Sequence, residues 1–202
     1  MTTDSLSRQS FGTRPRLNFT IRRKVFVCYS HLDQLEANRF VDTFAGPGGV
    51  FIPKALGVSD RDDFINSTNT QYVMQRIREL YIQDSTVTVM LVGKCTHSRR
   101  YVDWEIKASL QQGPDNFPNG LMAIQLHSAP DGADLPTRLI RNWTKGNLNC
   151  YARYWRYPQS NDQLRQWIED AFEARRTRAE WIQNPQDIMK NNAVCRAHFL
   201  TH

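Results

Sequence analysis

An α/β fold, with a mostly parallel five-stranded sheet and helices on both faces, is predicted from three observations along this 202-residue chain. Short apolar runs rich in β-branched residues, KVFVCY at 24–29 and TVTVMLV at 86–92, read as strands covered on both sides. Between the apolar runs stand stretches whose apolar residues recur at helical spacing. The two patterns alternate, which calls for successive β–α units joined by right-handed crossovers.

The elements follow in order. After the strand at Lys24–Tyr29, Ala37, Phe40, Val41 and Phe44 fall at i, i+3, i+4, i+7, and Gly46-Pro47-Gly48-Gly49 stops that helix. Val50–Ile52 is a second short strand. Residues 54–69 are polar and aperiodic, a long loop of the kind that often carries function in a compact domain. Val73, Ile77, Leu80 and Tyr81 then mark one face of a second helix, and Thr86–Val92 is the central strand. Ser98 caps a third helix running to about Gln112, with Val102, Ile106, Ser109 and Leu110 as its buried stripe. Gly120–Leu126 is the fourth strand, and Asn149–Tyr157 alternates as an edge strand. A helix capped by Ser160 carries Leu164, Trp167, Ile168, Ala171 and Phe172 on its apolar face. Residues 185–202 have no strong pattern, yet four of the five tryptophans lie after residue 142, so the C-terminal part is expected to be folded.

Composition narrows the function classes. The net charge of +6 is concentrated at the start: Arg8, Arg14, Arg16, Arg22, Arg23 and Lys24 face Asp4 alone, while the other 178 residues hold 20 basic and 19 acidic groups. The pI of 9.3 therefore reflects a flexible basic arm rather than a basic face that could displace counterions from a duplex, and nucleic acid is disfavoured as a partner. Lacking a run near 20 apolar residues and an apolar leader segment, the chain is expected to be cytoplasmic and off the membrane. Cys28, Cys95, Cys150 and Cys195 form no CxxC pair, and of the five histidines only His198 and His202 stand close, four apart at the very end without a paired cysteine or acid, so no metal site is expected.

In an open parallel sheet, ligands bind beyond the carboxyl ends of the strands, near the point where strand order reverses. That rule singles out Tyr29-Ser30-His31-Leu32-Asp33, the loop after the second strand, and Gly93-Lys94-Cys95-Thr96-His97-Ser98. Neither a Walker loop nor a GxGxxG is present. On the third helix, Glu105 lies about 60° from Val102, at the border of core and solvent, and Trp104 points away from the core as an exposed aromatic suited to an interface or a stacking surface. From the pattern alone Glu105 and Asp103 are ordinary solvated acids, Cys28 is a core residue and His31 simply borders the first helix.

KVFVCYSHLD after a basic lead-in, the strand TVTVMLVG, and then SRRYVDWEIK resemble the TIR superfamily, more narrowly the TIR-like family typified by the NAD-processing subunit of the Thoeris antiphage defence system. Tyr101-Val102-Asp103-Trp104-Glu105-Ile106 fits the family's helix motif, with Tyr101 where tryptophan is usual. The resemblance covers about residues 22–127 and continues weakly through Trp155 and the helix from Ser160. It implies a flavodoxin-like domain at 23–157 between a basic arm at 1–22 and a helical extension at 158–202 packed on the domain. It further implies cleavage of the nicotinamide–ribose bond of NAD, taken as substrate without any cofactor. Glu105 is the catalytic residue the resemblance carries over; Tyr29, Ser30, His31 and Trp104 line the substrate, as does Asn66 in the Asp62–Asn66 segment. The product, ADP-ribose-derived and in some members cyclic, would signal to a separate effector protein. Self-assembly between TIR domains is the alternative: a scaffold without catalysis, using Trp104.

Overall fold

The computed structural model describes residues 21–56, 67–114 and 116–195. The basic arm up to residue 20, and the part of the long loop that includes Asp62–Asn66, lie outside the described residues. Five strands form one all-parallel sheet: β1 (Arg23–Cys28), β2 (Phe51–Leu56), β3 (Val87–Val92), β4 (Gly120–Gln125) and β5 (Arg153–Trp155). Their spatial order is β2-β1-β3-β4-β5. The chain steps from β1 to one side and then returns to place β3 on the other, so strand order reverses between β1 and β3.

Helices α1 (Gln34–Ala45) and α5 (Asn161–Thr177) cover one face of the sheet, and α2 (Thr70–Ile77), α3 (Arg100–Ser109) and α4 (Thr137–Asn142) cover the other. Because strand side chains alternate, β1 sends Val25, Val27 and Tyr29 into the first layer and Phe26 and Cys28 into the second. β3 is buried along its whole length, as a central parallel strand must be. The Ser160 hydroxyl accepts from the Gln163 N–H to start α5. A Cβ on Gly120 would stand 1.8 Å from the Ala171 carbonyl oxygen, so only glycine lets α5 lie this close to the start of β4. Trp155 and Trp167 stack at 4.8 Å, tying the edge strand to that helix.

Five elements depart from the periodicity reading: α4 carried no pattern, β2 runs on to Leu56 into the stretch read as loop, and three others change phase or length. A π turn at Arg78–Ile82 extends α2 with one extra residue per turn, which rotates Leu80 out to 50% exposure and brings Ile82 into the core. α3 stops at Ser109 instead of Gln112. β5 is only three residues long, because it pairs with Met122–Ile124 alone. Two charges of the basic lead-in are tied into the fold: Arg22 donates to carbonyls of Ala45, Gly46 and Phe51, and Arg23 pairs with Glu169 at 2.8 Å. Among the described residues no helix is long and apolar enough to cross a membrane.

Candidate active site

β1 ends at the reversal point, and its last residues turn directly into α1. The Tyr29 hydroxyl donates to Gln34 Oε1 at 2.9 Å, and its ring meets His31 edge-on at 6.5 Å. Ser30 Oγ accepts from the Leu32 N–H, capping a 3-10 turn at His31–Asp33. Ser30 and Asp33 are buried, whereas His31 is exposed at the rim.

Glu105 approaches the same point from α3. The border position expected from the helical pattern closes onto the end of β1, and the side chain is 1% exposed, not solvated. Burial, the Glu105 charge and a hydrogen bond to its carboxylate together push the Cys28 thiol well above its usual 9.0. Burial also raises the Tyr29 phenol, with the Gln34 contact opposing and the Glu105 charge adding to the rise. The carboxylate is thus held where β1 ends, in contact with a thiol that keeps its proton. A buried acid is costly for a fold to hold, and acids held that way concentrate at functional sites. Cys28 is a core residue, as read, but one that also touches this acid.

The loop after β3 completes the cluster. A Cβ on Gly93 would fall 2.2 Å from Asp33 Oδ2, so any larger residue would push the Asp33 carboxylate out of its place between the two loops. The Gly93 N–H donates to Thr96 Oγ1 at 2.8 Å, and that hydroxyl stands 3.4 Å from Asp33 Oδ2. Arg99, at the start of α3, lies in the field of Asp33. Its pKa is lowered by burial and partly restored by that charge. Its Nε and Nη2 are shielded from solvent with no hydrogen-bond partner among the described residues. The periodicity reading passed over Arg99; a glycine directly after a buried strand was the signal available for this close approach.

The outer face of α3 overturns two expectations. Trp104 is not an exposed aromatic: it is 4% exposed, its Nε1 donates to the Met189 carbonyl at 2.8 Å, and Tyr101 packs edge-on against it at 5.5 Å. Asp103 is not solvated; it forms a buried ion pair with Arg138 at 2.8 Å and accepts from the Met189 N–H at 3.0 Å. Both are covered by residues 183–195, a patternless segment that crosses α3 as a strap and ends in a disulfide between Cys195 and Cys95. Tyr29, Ser30 and His31 therefore gather with Glu105 at the end of β1, while Trp104 faces away under the strap. Asn66 lies outside the described residues. A polar cleft of about 620 Å³ lined by Gln75, Arg78, Asp84 and Ser85 sits at the opposite end of the sheet and takes no part in this cluster.

No curated protein matches this chain. The family model for the TIR-like domain of Thoeris protein ThsB matches residues 26–131, from β1 through the loop after β4 and across every residue placed around Glu105. The chain belongs to the ThsB TIR-like domain family of the Thoeris antiphage defence system.

Proposed function

We propose that this protein cleaves NAD at the nicotinamide–ribose bond and that Glu105 stabilises the positive charge that develops on the ribose. The observation that carries this reading is a carboxylate withdrawn from water at the carboxyl end of β1, beside the reversal of strand order. Departure of nicotinamide leaves an oxocarbenium-like centre, and an anion fixed beside it lowers the barrier. The pyridinium leaves as a neutral base, so the step requires no proton donor, and a single carboxylate suffices. At about 4 Å with an effective dielectric near 20 the attraction is about 4 kcal/mol, or about a thousandfold in rate.

The neighbouring groups fit parts of a dinucleotide. Arg99, desolvated beside Asp33, offers guanidinium N–H groups to a pyrophosphate. Tyr29 and His31 offer aromatic surface at the rim. Cys28, protonated at neutral pH, steadies the Glu105 carboxylate by a hydrogen bond without competing for its charge. With Glu105 1% exposed, NAD reaches the acid only after the groups packed around the end of β1 move apart. Activity is therefore expected to depend on a trigger, and the product would pass to a separate effector protein. Trp104, which the scaffold alternative would use, is covered by the chain itself.

The test is a product analysis. Full-length protein incubated with NAD, alone and with extract of phage-infected cells, should release nicotinamide and an ADP-ribose-derived species detectable by mass spectrometry. Intact NAD under both conditions would refute the reading.

A further inference from the structure

We propose that the Cys95–Cys195 bond is a redox latch: oxidation locks the 183–195 strap over α3 and so fixes Glu105 in position. Its regulatory half rests on the NAD-cleaving reading of Glu105.

The strap grips α3 by polar contacts at both ends of its path. Met189 accepts from Trp104 Nε1 and donates to Asp103; the Arg100 N–H donates to Asn192 Oδ1 at 3.0 Å, and the Ala193 N–H donates to the Ser98 carbonyl at 2.9 Å. The neutral bonds among these add little net stability, because water replaces them on release, while the one to the buried Asp103 carboxylate adds more. Cavities of about 160 Å³, beside Asp103 and Asp187, and about 250 Å³, beside Lys107 and Gln186, flank the strap. It is laid across the helix, not sealed into the core, and Val194 near its end is 55% exposed. Arg138 holds the first part of the strap through Asn184, Pro185 and Asp187; what anchors its far end is the covalent bond, whose two cysteines are 1% and 0% exposed with Cα atoms 5.4 Å apart. Cys95 stands two residues beyond Gly93, the glycine that abuts Asp33, so the anchor point belongs to the loop that builds the site.

The chemistry balances with a peroxide as oxidant. One cysteine thiolate attacks the peroxide oxygen, giving a sulfenic acid and releasing one water after protonation. The second thiolate displaces hydroxide from that sulfur, which leaves as a second water once protonated. Two electrons pass from the sulfurs to the peroxide, and a dithiol reductant reverses the change. In the closed state the sulfurs are buried, so reductant reaches them only when the strap lifts. With the bond open, the strap samples detached states, the Asp103–Arg138 pair loses its cover, and α3 holds Glu105 less firmly. The oxidised form is the competent one.

The experiment uses the full chain, oxidised with hydrogen peroxide or reduced with a phosphine, with the pairing mapped by alkylation and mass spectrometry. Amide hydrogen exchange at Met189 and Ala193 should be at least tenfold faster in reduced protein and in Cys195→Ser, while Cys150→Ser behaves as wild type in both states. Nicotinamide release should lose at least threefold in kcat on reduction, with KM unchanged, and reoxidation should restore it in wild type but not in Cys195→Ser. Equal exchange in the two states, or a pairing other than Cys95–Cys195, overturns the latch. Faster exchange with kcat unchanged or raised overturns its control of the site. Protein that cleaves no NAD in either state defeats the functional reading and the regulatory half together, while exchange still decides the latch.

Discussion

Replacing Asp103 by alanine removes the carboxylate that faces Arg138 in a nearly solvent-free position, with side-chain exposures of 4% for Arg138 and 8% for Asp103. Breaking a buried pair from one side costs about 3–5 kcal/mol, because the surviving charge keeps its desolvation penalty. The two sides differ here. Without Asp103, Arg138 still donates to Asn184 Oδ1, the Pro185 carbonyl and the Asp187 carbonyl, so the loss should sit near the lower bound, about 3 kcal/mol. Arg138→Met strands Asp103 with the Met189 N–H and also orphans those strap acceptors, so about 4–5 kcal/mol is expected. The double variant Asp103→Ala/Arg138→Met should cost less than the sum of the singles, with a coupling of about 2 kcal/mol or more. Urea unfolding at neutral pH followed by tryptophan fluorescence gives all three values, and Trp104 reports from the same face of α3. Single losses below about 1 kcal/mol, or additivity within about 0.5 kcal/mol, would contradict the reading of this pair as the fixed point of the strap.

Two further perturbations test the site itself. Gly93→Ala forces the Asp33 carboxylate aside and breaks its contact with Thr96; the loss should be about 1–3 kcal/mol in thermal unfolding and should shrink in an Asp33→Ala background, where the added methyl meets no carboxylate. An equal loss in both backgrounds would place the strain elsewhere. Because the folded-state pKa of Cys28 is raised above 9.0, the unfolded chain releases this proton first, so stability from this group is complete below pH about 9 and declines above it by up to about 1.4 kcal/mol per pH unit. Tyr151, fully buried and also held protonated mainly by burial, steepens the decline above pH about 10. Cys28→Ala should flatten the first part of that fall in urea titrations; an unchanged slope between pH 9 and 10.5 would remove the thiol from the account.

The sheet strands and the border position of Glu105 on its helix were legible because each has a local cause: β-branched runs and helical spacing; the burial of Glu105 against the end of the first strand was not, and only the family motif pointed to that residue. What failed to show had nonlocal causes. Trp104 and Asp103 lie on the face that an amphipathic pattern assigns to water, and only a distant segment with no periodicity of its own covers them. Cys95 and Cys195 are 100 residues apart, a spacing that matches no short ligand or redox pattern. Leu80, expected on the buried face, turns outward and Ile82 packs inward because a π turn changes the helical phase, which the spacing of apolar residues does not encode. Arg99 has no pattern of its own and acquires meaning only from the carboxylate of Asp33 across the loops.

Bond cleavage in this site depends on the charge of one side chain, and Glu105→Gln isolates it. The amide is nearly isosteric and its carbonyl still accepts from the Cys28 thiol, so the fold and its thermal midpoint should be retained. Under triggering conditions kcat for nicotinamide release should fall by about a thousandfold, the rate equivalent of about 4 kcal/mol of lost attraction, with little change in KM. A Glu105→Gln protein that folds as wild type and releases nicotinamide within a factor of three of it would contradict the central claim.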